Sequence, residues 1–137
     1  MLLKKILLTG LTVASLSLPA LAFADLTTSN WTDEDSSVKI TNAAVNFCSD
    51  TFGAYTPKRQ GAQPGTSSST EAQINGLCMR KTGVCKATMY PTKNCQGAPV
   101  ANMALDRDTG VVSVEAILDP KYKIEVTGTH IDIRYAS

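Results

Sequence analysis

The chain has 137 residues, with 13 Lys+Arg against 12 Asp+Glu and a formal net charge of +1. So near neutrality, it lacks the basic footprint of a nucleic-acid-binding protein. It has one histidine and four cysteines, so a metal site built on imidazoles is nearly excluded.

Residues 1–24 read as a cleavable export signal. Lys4 and Lys5 supply the positive start, residues 6–18 the apolar stretch, and Ala22-Phe23-Ala24 the small-x-small cleavage site before Asp25. The apolar run of about 13 residues is short of the roughly 20 that span a bilayer, so no integral membrane segment is expected in the mature chain. The first cysteine is Cys48, too far from the cleavage site for lipid anchoring. Two lysines leave with the signal, so the 113 residues that remain carry eleven basic groups against twelve acidic ones. That length makes one domain, burying about 65% of its unfolded surface. Its expected location is the periplasm or the extracellular space. The sequon Asn30-Trp31-Thr32 has meaning only in a eukaryotic secretory host.

Residues 25–37 are polar, with Asp33, Glu34 and Asp35 in a row, and read as an N-terminal arm from which Trp31 packs back. The domain proper is then residues 38–137. Val38-Lys39-Ile40 alternates as a strand does, and residues 44–48 continue it beyond an irregularity at Thr41-Asn42-Ala43. Residues 57–70 hold Pro57, Gly61, Pro64, Gly65 and a run of serines and threonines, and read as a long loop. Residues 71–77 have room for one helical turn at most.

Residues 85–90 read as a strand and residues 91–94 as a turn. After residues 99–105 comes the turn sequence Asp106-Arg107-Asp108-Thr109-Gly110, then a strand with Val112, Val114 and Ala116 on one face. Asp119-Pro120 marks a break. Tyr122, Ile124 and Val126 alternate with Lys123 and Glu125. Beyond Thr127-Gly128-Thr129, Ile131, Ile133 and Tyr135 alternate with His130, Asp132 and Arg134, giving a half-buried hairpin. Short strands separated by Gly, Pro and Asp predict an all-β fold: a small, disulfide-stapled antiparallel β-sandwich of six to eight strands, immunoglobulin-like. Lys39, Lys86 and Lys123 are placed to blunt its edges.

An even number of cysteines in an oxidising compartment predicts two disulfides. Neither zinc-knuckle spacing nor a Cys-x-x-Cys redox pair is present. In a hairpin across residues 91–94, Cys95 lies opposite Tyr90 and about 16 Å from Cys85. A disulfide needs Cα atoms within about 7 Å. Cys78 and Cys85, bracketing a turn with Gly83, can face each other. The favoured pairing is therefore Cys78–Cys85 with Cys48–Cys95.

No catalytic set stands out. His130 would have to serve any Ser-His-Asp arrangement, yet it lies on the polar face of its strand. Asp106-x-Asp108-x-Gly110 lacks the later ligands of a calcium loop and is explained by a turn. Gly61-x-x-x-Gly65 lacks the lysine and helix of a phosphate-binding loop. The expectation is a protein that is not an enzyme and needs no cofactor or metal.

The run from Cys85 to Ala101, Ile40-Thr41-Asn42, Cys48-Ser49-Asp50 and the run from Leu105 to Val114 resemble small four-cysteine exported proteins of intracellular gamma-proteobacteria. That resemblance implies a compact secreted β-domain and carries over no site residue. The functional expectation is an exported, non-catalytic domain binding a protein or glycan through the 57–70 loop, with Lys58 and Arg59 in that loop and Phe52 and Tyr55 near it as candidate contacts. The alternatives are an inhibitor of a lysozyme or protease and, behind it, a small carboxylate hydrolase.

Overall fold

The computed structural model describes residues 25–137; the signal sequence expected over residues 1–24 lies outside them. In chain order the elements are β1 (Leu26–Asn30), β2 (Ser37–Ile40), a 3-10 turn (Ser49–Phe52), β3 (Gly65–Ser69), α1 (Glu71–Cys78), β4 (Val84–Tyr90), β5 (Ala101–Asp106), β6 (Val112–Ile117), β7 (Tyr122–Thr127) and β8 (His130–Tyr135). They form two four-stranded sheets, in the orders β3-β1-β8-β7 and β2-β4-β5-β6.

The C-terminal hairpin follows the alternation in its sequence. Tyr122, Ile124 and Val126 pair with Tyr135, Ile133 and Ile131, and Tyr122, Ile131 and Ile133 are buried. From the second sheet, Ile40, Met89, Ala101, Met103, Leu105 and Val112 meet them in one core. Burying each large aliphatic chain there contributes roughly 1.5–3 kcal/mol. Every strand pair is antiparallel except β1 with β8, which run parallel from Thr27 opposite His130 to Asn30 opposite Ile133. The sandwich is therefore mixed rather than purely antiparallel, with the first and last strands side by side.

That pairing corrects the reading of residues 25–37 as an arm. β1 lies inside its sheet, antiparallel to β3 on one side and parallel to β8 on the other. The packed domain thus begins at Leu26 rather than Val38. Polar strands on a solvated sheet face carry no apolar alternation, which is why composition pointed to an arm. The 57–70 loop is shortened for the same reason, because Gly65–Ser69 is β3. Residues 44–48 make only a single bridge, Lys39 with Cys48. At β6 a bulge sets Val114 opposite Met103 but Ala116 opposite Asn102. Ala116 therefore turns to solvent instead of sharing the face of Val112. Lys39 and Lys123 lie on the edge strands β2 and β7, whereas Lys86 lies on the inner strand β4.

Residues 71–78 form two helical turns rather than one. The Thr70 hydroxyl accepts from the Gln73 amide at 3.2 Å, and the Gln73 side chain accepts from the Thr70 amide at 2.9 Å, a reciprocal cap that makes so short a helix viable. Ile74, Leu77 and Cys78 are its buried stripe. Cys78 bonds to Cys85 at the start of β4, and Cys48 bonds to Cys95 in the β4–β5 connection. This is the connectivity that the strand-length argument favours. The connection is longer than a tight hairpin, however, since β5 begins opposite Met89 at Ala101. Arg107 ties the same region down: its guanidinium donates to the Arg80 carbonyl (2.7 Å) and to Asn75 Oδ1 (2.6 Å).

The end of β1 is fixed by a buried polar corner. Asn30 is fully buried. Its side-chain amide donates to the carbonyls of Glu34 (2.7 Å) and Pro57 (3.2 Å). Its Oδ1 accepts from the Thr32 amide (3.0 Å) and hydroxyl (2.7 Å). Its register partner is Gly65, where any side chain would overlap the Pro57 carbonyl oxygen. Asn30→Ala leaves several buried groups unpaired and is expected to cost about 3 kcal/mol in urea unfolding. A loss under about 1 kcal/mol would mean that the corner does not anchor the strand.

Candidate functional site

The four contact residues expected from the sequence do not form one patch. Phe52 packs edge-on against Phe47 at 5.7 Å and touches Gly76 of α1. Tyr55 lies beneath the Lys93 ammonium, 5.3 Å from the ring centre. Lys58 and Arg59 instead meet the acidic 33–35 stretch. The Lys58 amide donates to Asp35 (3.0 Å) and the Arg59 guanidinium to Asp33 (2.8 Å). The Asp33 hydrogen bond and charge raise the pKa of Arg59 above its ordinary value. Glu34, between them, accepts from the Tyr122 hydroxyl and lies 3.7 Å from the Lys121 ammonium.

A more organised surface lies on the outer face of the first sheet, and strand register lays it out in rows. Ser68, Thr27, His130 and Thr127 cross the four strands in one row, and Thr66, Ser29, Asp132 and Glu125 in the next. Trp31, just beyond β1, continues the alternation of Thr27 and Ser29. Its indole donates to Asp132 Oδ1 (3.2 Å), and the Arg134 guanidinium stacks over its ring at 4.6 Å. The β7 side is charged but internally balanced, with Glu125 near Lys123 (3.4 Å) and Arg134 (3.9 Å). The β3 side is uncharged. It forms an open groove of about 440 Å³ along Thr27, Ser29, Thr66, Ser68 and His130.

His130 has a polar neighbour at each ring nitrogen, hydrogen-bonded at one of them. Nδ1 is 2.7 Å from the Thr27 hydroxyl, and Nε2 is 3.4 Å from Asp132 Oδ1. A hydroxyl, an imidazole and a carboxylate in line are the parts of a nucleophilic relay. Acyl transfer also needs unpaired backbone amides aimed at the developing oxyanion. Here β1 is hydrogen-bonded along both edges, and the Thr27 amide itself donates to the Thr129 carbonyl (3.0 Å). The strand that carries Thr27 therefore offers no amide of its own at that position.

Two other spaces among the described residues are smaller. A space of about 80 Å³ between the sheets is lined partly by Ser37, Ser49, Thr56 and Ser67, well under the ~300 Å³ of typical small-molecule sites. Several of its hydroxyls already have partners, as in the 2.6 Å contact between Thr56 and Ser67. Among the described residues no group of three or more His, Cys, Asp or Glu side chains is gathered for a metal. In the 106–110 turn, Asp106 Oδ1 accepts from the amides of Asp108 and Thr109, and Asp108 accepts from Gly83 across to the β4 end (3.2 Å).

The residues missed from the sequence are Thr27, Ser29, Trp31, Thr66, Ser68 and Asp132. Their signal is weak because both faces of β1 and β3 are rich in hydroxyls. The one available clue was Trp31, two residues beyond Ser29 and in step with it.

The fold is similar to that in the crystal structure of the Legionella pneumophila type II secretion system substrate NttC. The TM-score is 0.61 at 21% identity, over 83% of this chain and 99% of that one. At that identity the likeness is one of fold. No curated protein matches the chain. A family model described as T2SS substrate NttC matches residues 1–134. Spanning nearly the whole sequence, that match means that the chain belongs to the NttC family of type II secretion system substrates.

Proposed function

We propose that this protein is a type II secretion cargo that folds and forms its disulfides in the periplasm, then acts outside the cell by binding a protein or glycan. The family match over residues 1–134 supports the export half. The binding half rests on one observation: a preorganised, polar sheet face whose histidine hydrogen-bonds Thr27 on a strand paired along both edges. Such a face can recognise a ligand without reorganising.

Export is tested by comparing culture supernatant with periplasmic extract, in a host with a working type II system and in one without. The protein is expected in the supernatant of the first and the periplasm of the second. Equal release from both would remove it from the cargo of that route. Binding is tested by pull-down with oxidised residues 25–137, and a mature protein that retains neither protein nor glycan would overturn the binding role.

A further inference from the structure

We propose that the groove along β3, β1 and β8 is a carbohydrate site for a neutral oligosaccharide. This deepens the binding role proposed above and rests on it. The groove's chemistry selects the ligand class. Thr27, Ser29, Thr66 and Ser68 contribute hydroxyls, each able both to donate and to accept, and His130 contributes an imidazole. No Lys, Arg, Asp or Glu side chain lines it. An anionic ligand would find no lysine or arginine there, and a nucleic acid would find no basic track for its phosphates.

A protein partner fits less well. Protein interfaces centre on buried aromatic and apolar anchors. Among the described residues the large exposed apolar side chains are Val45, Met79, Val84, Val111, Ile117, Leu118 and Tyr135, and none of them lines the groove. A polyol offers the matching pattern of paired donors and acceptors. The groove's 440 Å³ falls within the ~300–1,000 Å³ of small-ligand sites.

The site is also built to hold its shape. The short hydroxyl side chains stand on paired strands and lose little rotamer freedom when they bind. Asp132 accepts from the Trp31 indole and lies 3.4 Å from His130 Nε2, and Arg134 covers the indole ring. The groove wall is therefore continuous with the only tryptophan in the chain, and a ligand against His130 will alter its fluorescence.

The test uses the oxidised mature protein, first on an array of neutral and anionic glycans and then in titrations with maltotriose, chitotriose and 3′-sialyllactose read by Trp31 fluorescence. Binding to a neutral glycan is expected, weakened about tenfold or more in the double variant T66K/S68K. Both changed residues are exposed on the edge strand β3, and the melting temperature should be unchanged. T66A/S68A, which only removes hydroxyls, should weaken the same binding to a lesser degree. Binding to anionic glycans alone, or neutral binding that survives T66K/S68K, would overturn the proposal. A protein partner captured in the pull-down with no glycan signal would overturn the carbohydrate assignment and leave the binding role intact. No ligand of either kind would overturn both.

Discussion

A chain that begins at Val38 is expected to be unfolded, although it keeps all four cysteines and every strand that alternates clearly in the sequence. The reason is the position of β1. It lies between β3 and β8 and is hydrogen-bonded to both, so its removal leaves a gap about two strand spacings wide, near 10 Å. β3 loses its only strand partner. The Asn30 corner, the Trp31–Arg134 stack and the Asp33–Arg59 pair are lost with it. Together these exceed what a domain holding about 5–15 kcal/mol of net stability can spare. The expected result is a truncated protein with no cooperative thermal transition, beside residues 25–137 melting cooperatively. A truncated chain that melts within about 5 °C of the longer one would show that β1 is dispensable and restore the arm.

That contrast marks the limit of what the sequence discloses. The C-terminal hairpin was legible because Tyr122, Ile124, Val126, Ile131 and Ile133 put apolar chains on one face only, and burial of that face fixes the register. The disulfide pairing was legible because strand length alone separates Cys85 from Cys95. β1 and β3 were not. Their inward positions include Thr28, Ser67 and Ser69 beside the small cavity between the sheets, so hydroxyls occupy both faces and no period shows. The helix was hidden by its length, since only Ile74, Leu77 and Cys78 mark its buried side, although Thr70 and Gln73 stand at capping-box spacing. The candidate groove was lost for the same reason as the strands that carry it. His130 and Asp132 were visible as a polar face, but what they face depends on a parallel partner about a hundred residues away, which local pattern does not encode.

The second large effect concerns Cys48 and Cys95. Removing both, as C48A/C95A, is expected to cost about 4 kcal/mol, because the bond closes a loop of 47 residues in the unfolded chain. C78A/C85A, at a separation of 7, should cost about 2.5 kcal/mol on the same basis. For a domain of this size these losses lower the melting temperature by roughly 15 °C and 10 °C. The larger loss should also be localised. β2 is a four-residue edge strand, and the Cys48–Cys95 region braces it. Val38 donates its amide to Ser49 Oγ (3.1 Å), Cys95 donates its amide to Ser37 Oγ (2.8 Å), and Lys39 bridges to Cys48. Hydrogen exchange at residues 37–40 should therefore accelerate more in C48A/C95A than exchange in β7 or β8. The order of the two variants separates two physical origins. If chain entropy dominates, the long loop costs more. If C78A/C85A proves the more damaging, the stabilisation lies in native contacts where α1, the Arg107 guanidinium and the start of β4 meet, and the loop-entropy account fails for this protein.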